Sequence, residues 1–251
     1  MPKQRKIVLF AGGEVGLAFC RHLTRNELKS ELALVGMLVV GRGDEDRQRL
    51  IDYANENGVP VLREPSDIIS LPNLWMGFSV GNSVILKPDV IKVPRHGIIN
   101  FHAAPLPRFR GSAAPAFAIM EDHGEFGVTF HKLVEELDAG PIVATRAFEI
   151  CDDATANEVD ARCISVGIEC FGEMLLDFIN LNFSESPNCP DRPPYRRNEM
   201  EQHREIDLRW PREKIWKHVR ACDWNGVLKP AFANFGSKRI YLTARQRGEW
   251  I

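Results

Sequence analysis

The chain has no surplus of positive charge: 32 lysines and arginines stand against 34 acidic residues, a net charge of −2. A general nucleic-acid binder carries a basic surplus or stripe, so that class is set aside, while small anionic ligands need only a few local arginines. Close cysteine pairs are also missing. Cys20, Cys151, Cys163, Cys170, Cys189 and Cys222 show no spacing of the zinc-ribbon kind. Cys163 and Cys170, inside an apolar helical stretch, read as small core residues of a reducing compartment. Long apolar runs are absent as well. The opening Met-Pro-Lys-Gln-Arg-Lys leads into a short apolar run before Gly12-Gly13, too short for a signal-peptide core or a membrane span. A cytoplasmic location away from membranes is the expectation. There is no internal repeat and no low-complexity tract. What is present is an ordinary globular composition, 44% apolar over 251 residues, enough for one large domain, alone or with a smaller appendage.

Strand-like runs at 6–11, 32–40, 58–62 and 75–80 alternate with helical stretches at 17–28 and 44–57. This alternation predicts an α/β architecture with a parallel, doubly wound sheet. A further strand at 97–102 precedes a Pro/Arg/Gly loop, and a helix over 113–121 has Pro115 in its first turn. Strands at 127–133 and 141–150 follow as an antiparallel extension. Asp152-Asp153 is the expected cap of a long helix over 154–181. Residues 184–198, rich in Ser, Pro, Asn and Arg, read as a linker between a main domain (1–183) and a small C-terminal subdomain (199–251). That subdomain contains Glu205-Ile206-Asp207, a helix at 211–221 and a strand at 239–242.

The most informative segment is Gly97-Ile98-Ile99-Asn100-Phe101-His102. Strand alternation puts Asn100 and His102 on the same face. The prolines that follow end the strand there, because they remove ladder donors. An amide that can stabilise an oxyanion, beside an imidazole that can move a proton, fits acyl transfer once a carboxylate joins them. Asp138 is the carboxylate to consider, although local reading leaves it equally a turn aspartate. Gly12-Gly13-x-x-Gly16 lacks the dinucleotide fingerprint spacing. It reads as a tight strand-to-helix turn, with a phosphate or ribose contact as the alternative. His96, His102, His123 and His131 match no helical ligand pair or Cys/His knuckle, so no metal is expected. Packing or hydrogen bonding is the ordinary account of His131. Trp210, Trp216 and Trp224 read as small-domain packing or a subunit interface rather than a base platform.

Three blocks in order carry a resemblance: residues 97–111, then Gly127-Val128-Thr129-Phe130-His131, then Leu137-Asp138-Ala139-Gly140-Pro141-Ile142. They resemble the glycine-led Asn-x-His strand with its Leu-Pro-x-Tyr/Phe-Arg-Gly loop, the Gly-Val-Thr-x-His strand and the Leu-Asp-x-Gly loop of the 10-formyltetrahydrofolate-dependent formyltransferases. The likeness is clear over roughly residues 75–150. One departure is Ala-Ala-Pro-Leu-Pro where many members have Pro-Ser-Leu-Leu-Pro, which removes a serine but no member of the catalytic trio. The resemblance implies a Rossmann-like, mostly parallel formyltransferase fold and a catalytic trio of Asn100, His102 and Asp138. It further implies a folate site whose pterin is flanked by Phe78, Val80, Gly81 and Asn82 and by Glu135, Leu137 and Gly140.

Members of that family formylate methionyl-tRNA, glycinamide ribonucleotide or nucleotide-linked amino sugars, or release formate to water. The near-neutral charge argues against a large polyanion. The tail past residue 195 is unlike the shorter ribonucleotide enzymes, and the short lead before the first strand suggests no preceding regulatory domain. The expectation is therefore a sugar-nucleotide N-formyltransferase using 10-formyltetrahydrofolate, with a homodimer reasonable from the tail tryptophans. Methionyl-tRNA formylation and a non-catalytic folate or sugar-nucleotide sensor are the alternatives. Arg110, Tyr195 and Arg196 are the candidate substrate contacts: a ring to stack a base, and arginines to pair with a diphosphate.

Overall fold

The structure, a computed structural model, describes residues 4–41 and 43–244. Along the described residues run β1 (Arg5–Gly12), α1 (Gly13–Leu23), β2 (Leu32–Val40), α2 (Asp44–Glu56), β3 (Val61–Leu62) and β4 (Leu74–Val80). Next come α3 (Pro88–Ile91), β5 (Ile98–His102), α4 (Ala114–Met120), β6 (Glu125–Lys132) and β7 (Ile142–Glu149). The long helix α5 (Ala156–Asn180), then α6 (Arg212–Cys222), β8 (Ala231–Phe235) and β9 (Lys238–Leu242), complete the order. Seven strands form one sheet, β3-β2-β1-β4-β5-β6-β7, and β8 and β9 form a second, antiparallel one. In the larger sheet β1 pairs parallel with β2 and β4, β2 with β3, and β4 with β5, whereas β6 runs antiparallel to β5. This is the mostly parallel α/β sheet that the alternating sequence predicts.

By contact the chain divides into two compact units interleaved along the sequence, whereas the sequence reading divided it consecutively at 184–198. The first unit runs to His102 and adds Thr129–Thr145 and Val166–Cys189. Its central strand β1 is covered on both faces, with Ile7, Val8, Leu9, Phe10 and Ala11 at 0% exposure, as a parallel strand between helical layers must be. One face packs Val8, Phe10, Leu38, Val40 and Ile98 against Ile68, Leu86 and Val90. The other is aromatic: Phe19 of α1 stacks on Phe171 of α5 with centroids 3.8 Å apart, and Phe78 meets Phe171 edge-on at 5.1 Å. Such pairs each contribute about 0.5–1.5 kcal/mol beyond their buried area. The turn glycines have a packing reason. A Cβ on Gly12 would collide with the carbonyl oxygen of Gly81, and one on Gly81, at φ +58°, would collide with that of Gly12. The ends of β1 and β4 therefore touch backbone to backbone.

The second unit takes Ala103–Val128, Arg146–Ser165 and the chain from Pro190 onward. Its centre is Tyr195, 3% exposed, whose hydroxyl bonds the Glu121 carboxylate at 2.7 Å and whose ring packs against Phe109 and Phe117. Helix α6 is tied down by Arg220, which donates to the Ala154 carbonyl at 2.8 Å, and by the Lys217–Asp122 ion pair at 2.6 Å. The segment 184–198 is thus no free linker. Ser186 exchanges backbone hydrogen bonds with Ile142 in the first unit, while Tyr195 exchanges them with Arg110 and Ser112 in the second.

The cap of α5 also differs from expectation. Thr155, not Asp152-Asp153, closes it. Glu158 N–H donates to Thr155 Oγ1 at 3.2 Å, and the Glu158 carboxylate accepts from Thr155 N–H at 2.8 Å. This is the reciprocal Thr-x-x-Glu box, which satisfies two orphan donors where an aspartate further back cannot reach. Thr155→Ala is expected to lower unfolding free energy by about 1 kcal/mol in urea titration, and Asp152→Ala by no more than about 0.5 kcal/mol.

Candidate active site

Strand β5 ends the apolar part of the chain with two polar residues on one face, and its register with β6 decides what they meet. Asn100 lies opposite His131, Phe101 opposite Phe130, and His102 opposite Thr129. Directly paired residues of an antiparallel ladder share a face. Asn100, His102, His131 and Thr129 therefore line one side, while Phe101 and Phe130 turn to the aromatic core, 5.4 Å apart by centroid. Gly167 of α5 lets that core close, since a Cβ there would run into the Phe101 ring. In the parallel neighbour, Ser79 of β4 is opposite Asn100, so β4 and β5 end at the same edge of the sheet.

Asp138 reaches this face from the loop between β6 and β7. Its Oδ2 lies 3.8 Å from Nδ1 of His102 and its Oδ1 3.8 Å from Nε2 of His131. These are charge contacts, longer than hydrogen bonds. Asp138 is 9% exposed and holds a left-handed backbone, φ +49°. Two features fix the loop. A Cβ on Gly140 would collide with the Lys132 carbonyl, and the Asn188 side-chain amide donates to the carbonyls of Asp138 and Gly140 at 2.8 and 2.9 Å. The trio expected from resemblance, Asn100, His102 and Asp138, therefore stands together.

His131 is fully buried, and burial, with the neighbouring His102 as the lesser cause, pushes its pKa down from 6.5 to about 4 against the opposing pull of Asp138 and the Lys132 carbonyl. It is the site residue that sequence reasoning underrated. Its signal was its place in a strand, but which face it shares follows only from the pairing. Asn188 was missed outright, for nothing local in Ser-Pro-Asn-Cys-Pro links it to Asp138.

The expected folate contacts fall into two kinds. Phe78 and Val80 are 1% and 0% exposed, so their side chains belong to the core and only their backbone is offered to a ligand. Gly81 is exposed, and Asn82 accepts from Val84 N–H at 2.7 Å while donating to Ser79 Oγ at 3.3 Å. Glu135 and Leu137 are exposed, Leu137 at 53%, and Gly140 is buried. Leu137 is an apolar surface that a flat ring can cover. Arg110 and Tyr195, in the second unit, are 4% and 3% exposed, while Arg196 is exposed. Arg192 lies 3.4 Å over the Tyr195 ring and Phe109 stacks at 5.5 Å, which leaves that ring no free face for a base. Among the described residues, no group of three or more His, Cys, Asp or Glu side chains is placed to hold a metal ion.

A donor amide, an imidazole and a carboxylate on one sheet edge are groups that can carry out acyl transfer, and residues 78–175 match the formyl transferase family. Among curated relatives, the methionyl-tRNA formyltransferase of Listeria monocytogenes is 31% identical over 136 residues, covering 54% of this chain and 44% of that protein. The chain thus spans less than half the length of such a relative. Among solved structures, a sugar N-formyltransferase from Shewanella superposes with TM-score 0.76 at 16% identity, over 95% of this chain and 96% of its own. The N-formyltransferase of Helicobacter canadensis, solved with folinic acid and dTDP-3-aminofucose, gives TM-score 0.71 at 16% identity over 96% of each chain. The fold is the formyltransferase fold.

The depressed pKa of His131 has a signed consequence. The unfolded chain binds this proton more readily than the folded one, so stability is held above pH 6.5 and lost as pH falls toward about 4. In urea unfolding at pH 7 and pH 4.5, wild type should lose more stability between the two than His131→Phe does. Equal losses would remove the neutral, buried imidazole from the account.

Proposed function

We propose that this protein is an N-formyltransferase that moves the formyl group of 10-formyltetrahydrofolate to the amine of a nucleotide-linked amino sugar. The convergence of Asn100, His102 and Asp138 on one face is the observation that carries the reading. The neutral amine attacks the formyl carbon, and a tetrahedral oxyanion develops. Asn100 donates its side-chain N–H to that oxygen, a contribution of roughly 3–4 kcal/mol to the barrier for one such donor. His102 takes a proton from the attacking amine or delivers one to the leaving nitrogen. Asp138, 3.8 Å away, steadies the imidazolium or relays the proton through water. Because the attacking amine must be unprotonated, activity falls at acid pH. The folate lies against Gly81, Asn82, Glu135, Leu137 and Gly140, with backbone contact from Phe78 and Val80.

The sugar acceptor is supported by the solved sugar N-formyltransferases, which run along 95–96% of this chain and a similar share of their own length. Such a product serves surface glycan assembly, and the enzyme works in the cytoplasm as a homodimer. The exposed apolar side chains of Phe235, Ile240 and Tyr241 offer a surface for the second copy. The 31% identity to a methionyl-tRNA formyltransferase favours tRNA as the second reading, and a folate- or nucleotide-binding sensor without turnover is a third.

Incubation with 10-formyltetrahydrofolate and a panel of nucleotide-linked 3- and 4-amino sugars, with methionyl-tRNA alongside, tests the proposal. Formylation of a sugar amine is expected. Transfer to the tRNA alone supports the second reading, and ligand binding without transfer supports the third. Asn100→Ala and His102→Ala should each lower kcat by about 100-fold or more with the fold intact by circular dichroism. Near-normal turnover in either removes its assigned role.

A further inference from the structure

Asn100 has two ways to sit in its strand. Its amide nitrogen and oxygen exchange places by a half-turn of the side chain, and only one arrangement aims an N–H at a developing oxyanion. The selection comes from His131. The Nδ1 of His131 lies 3.0 Å from the backbone carbonyl of Lys132. A carbonyl only accepts, so Nδ1 carries the proton. Burial keeps the ring neutral, and a neutral imidazole protonated at Nδ1 presents a bare lone pair at Nε2. That lone pair lies 3.1 Å from the Asn100 side-chain nitrogen, which must therefore donate to it.

We infer that His131 is a positioning residue: by accepting one N–H of Asn100 through Nε2, it fixes the amide so that the other N–H is held for the oxyanion. The inference rests on the formyl-transfer reading given above. It also explains why Asp138, although 3.8 Å from both imidazoles, serves His102. An unprotonated Nε2 offers the carboxylate no N–H, so in the proposed reaction Asp138 is assigned to His102. The antiparallel register makes the arrangement rigid, since Asn100 and His131 are direct cross-strand partners.

Two measurements test this. The first is kinetic, with whichever acceptor wild type formylates. His131→Phe keeps an aromatic ring but has no acceptor, and it should lose roughly 100-fold in kcat, the scale of losing one oxyanion donor. KM for both substrates should stay within about twofold. His131→Gln, whose carbonyl oxygen can stand near the Nε2 position, should recover about tenfold of that loss. In an Asn100→Ala background, His131→Phe should cost no further activity beyond about twofold, because both changes remove the same donor. Losses that multiply in the double variant, or full activity in His131→Phe, overturn the inference. The second measurement needs no turnover. Long-range nitrogen–proton spectra of wild type at pH 7 should show His131 with its proton on Nδ1, and the Asn100 amide resonance should shift in His131→Gln. A proton on Nε2 overturns the inference even if the first variant does not fold. An absence of formyl transfer in wild type fails the functional reading alone, leaving the spectra to decide the role of His131.

Discussion

The site depends on the register between β5 and β6. Because Asn100 faces His131 and Phe101 faces Phe130, polar and aromatic side chains separate cleanly to opposite sides of the sheet. A slip of β5 by one residue would send Phe101 into the site and bury Asn100 and His102 among Phe19, Phe130 and Phe171. Stranding unpaired polar groups in an apolar layer costs several kcal/mol. The aromatic core therefore specifies the register, and the register brings Asn100, His102 and His131 to one face.

The same burial constrains the charges. Two imidazoles and a carboxylate, those of His102, His131 and Asp138, meet within charge-contact distance. The fold keeps His131 neutral by burying it, and its two nitrogens are occupied by the Lys132 carbonyl and the Asn100 amide. His102 and Asp138 are the other pair at this distance, 3.8 Å apart. The backbone of the loop that carries Asp138 is fixed from two sides. Gly140 allows the loop to lie on Lys132, and Asn188 ties its carbonyls.

Parts of this were legible in residue order. The alternation of apolar runs and helical stretches predicted the parallel sheet, and the strands of the larger sheet lie within a few residues of the strand-like runs. Alternation within 97–102 put Asn100 and His102 on one face, as found. Readings that depended on a partner distant in sequence fared differently. The helix cap moved from Asp152-Asp153 to Thr155, although its Thr-x-x-Glu signature stood in the sequence. Segment 184–198 had the composition of a linker, yet Ser186, Asn188 and Tyr195 anchor it, because loop-like residues can still pair backbone groups with a neighbouring edge. Strand β8 carried too short an apolar pattern to be read without its partner β9.

Sequence alone determined the fold class and the chemical nature of the groups at the candidate site, because hydrophobic periodicity is local and an amide or imidazole keeps its chemistry wherever it lies. Only the tertiary structure decided which groups meet. Asp138 joins His102, His131 turns to Asn100, and Tyr195 withdraws between Phe109 and Arg192, because those distances are set by strand pairing and packing between segments far apart along the chain.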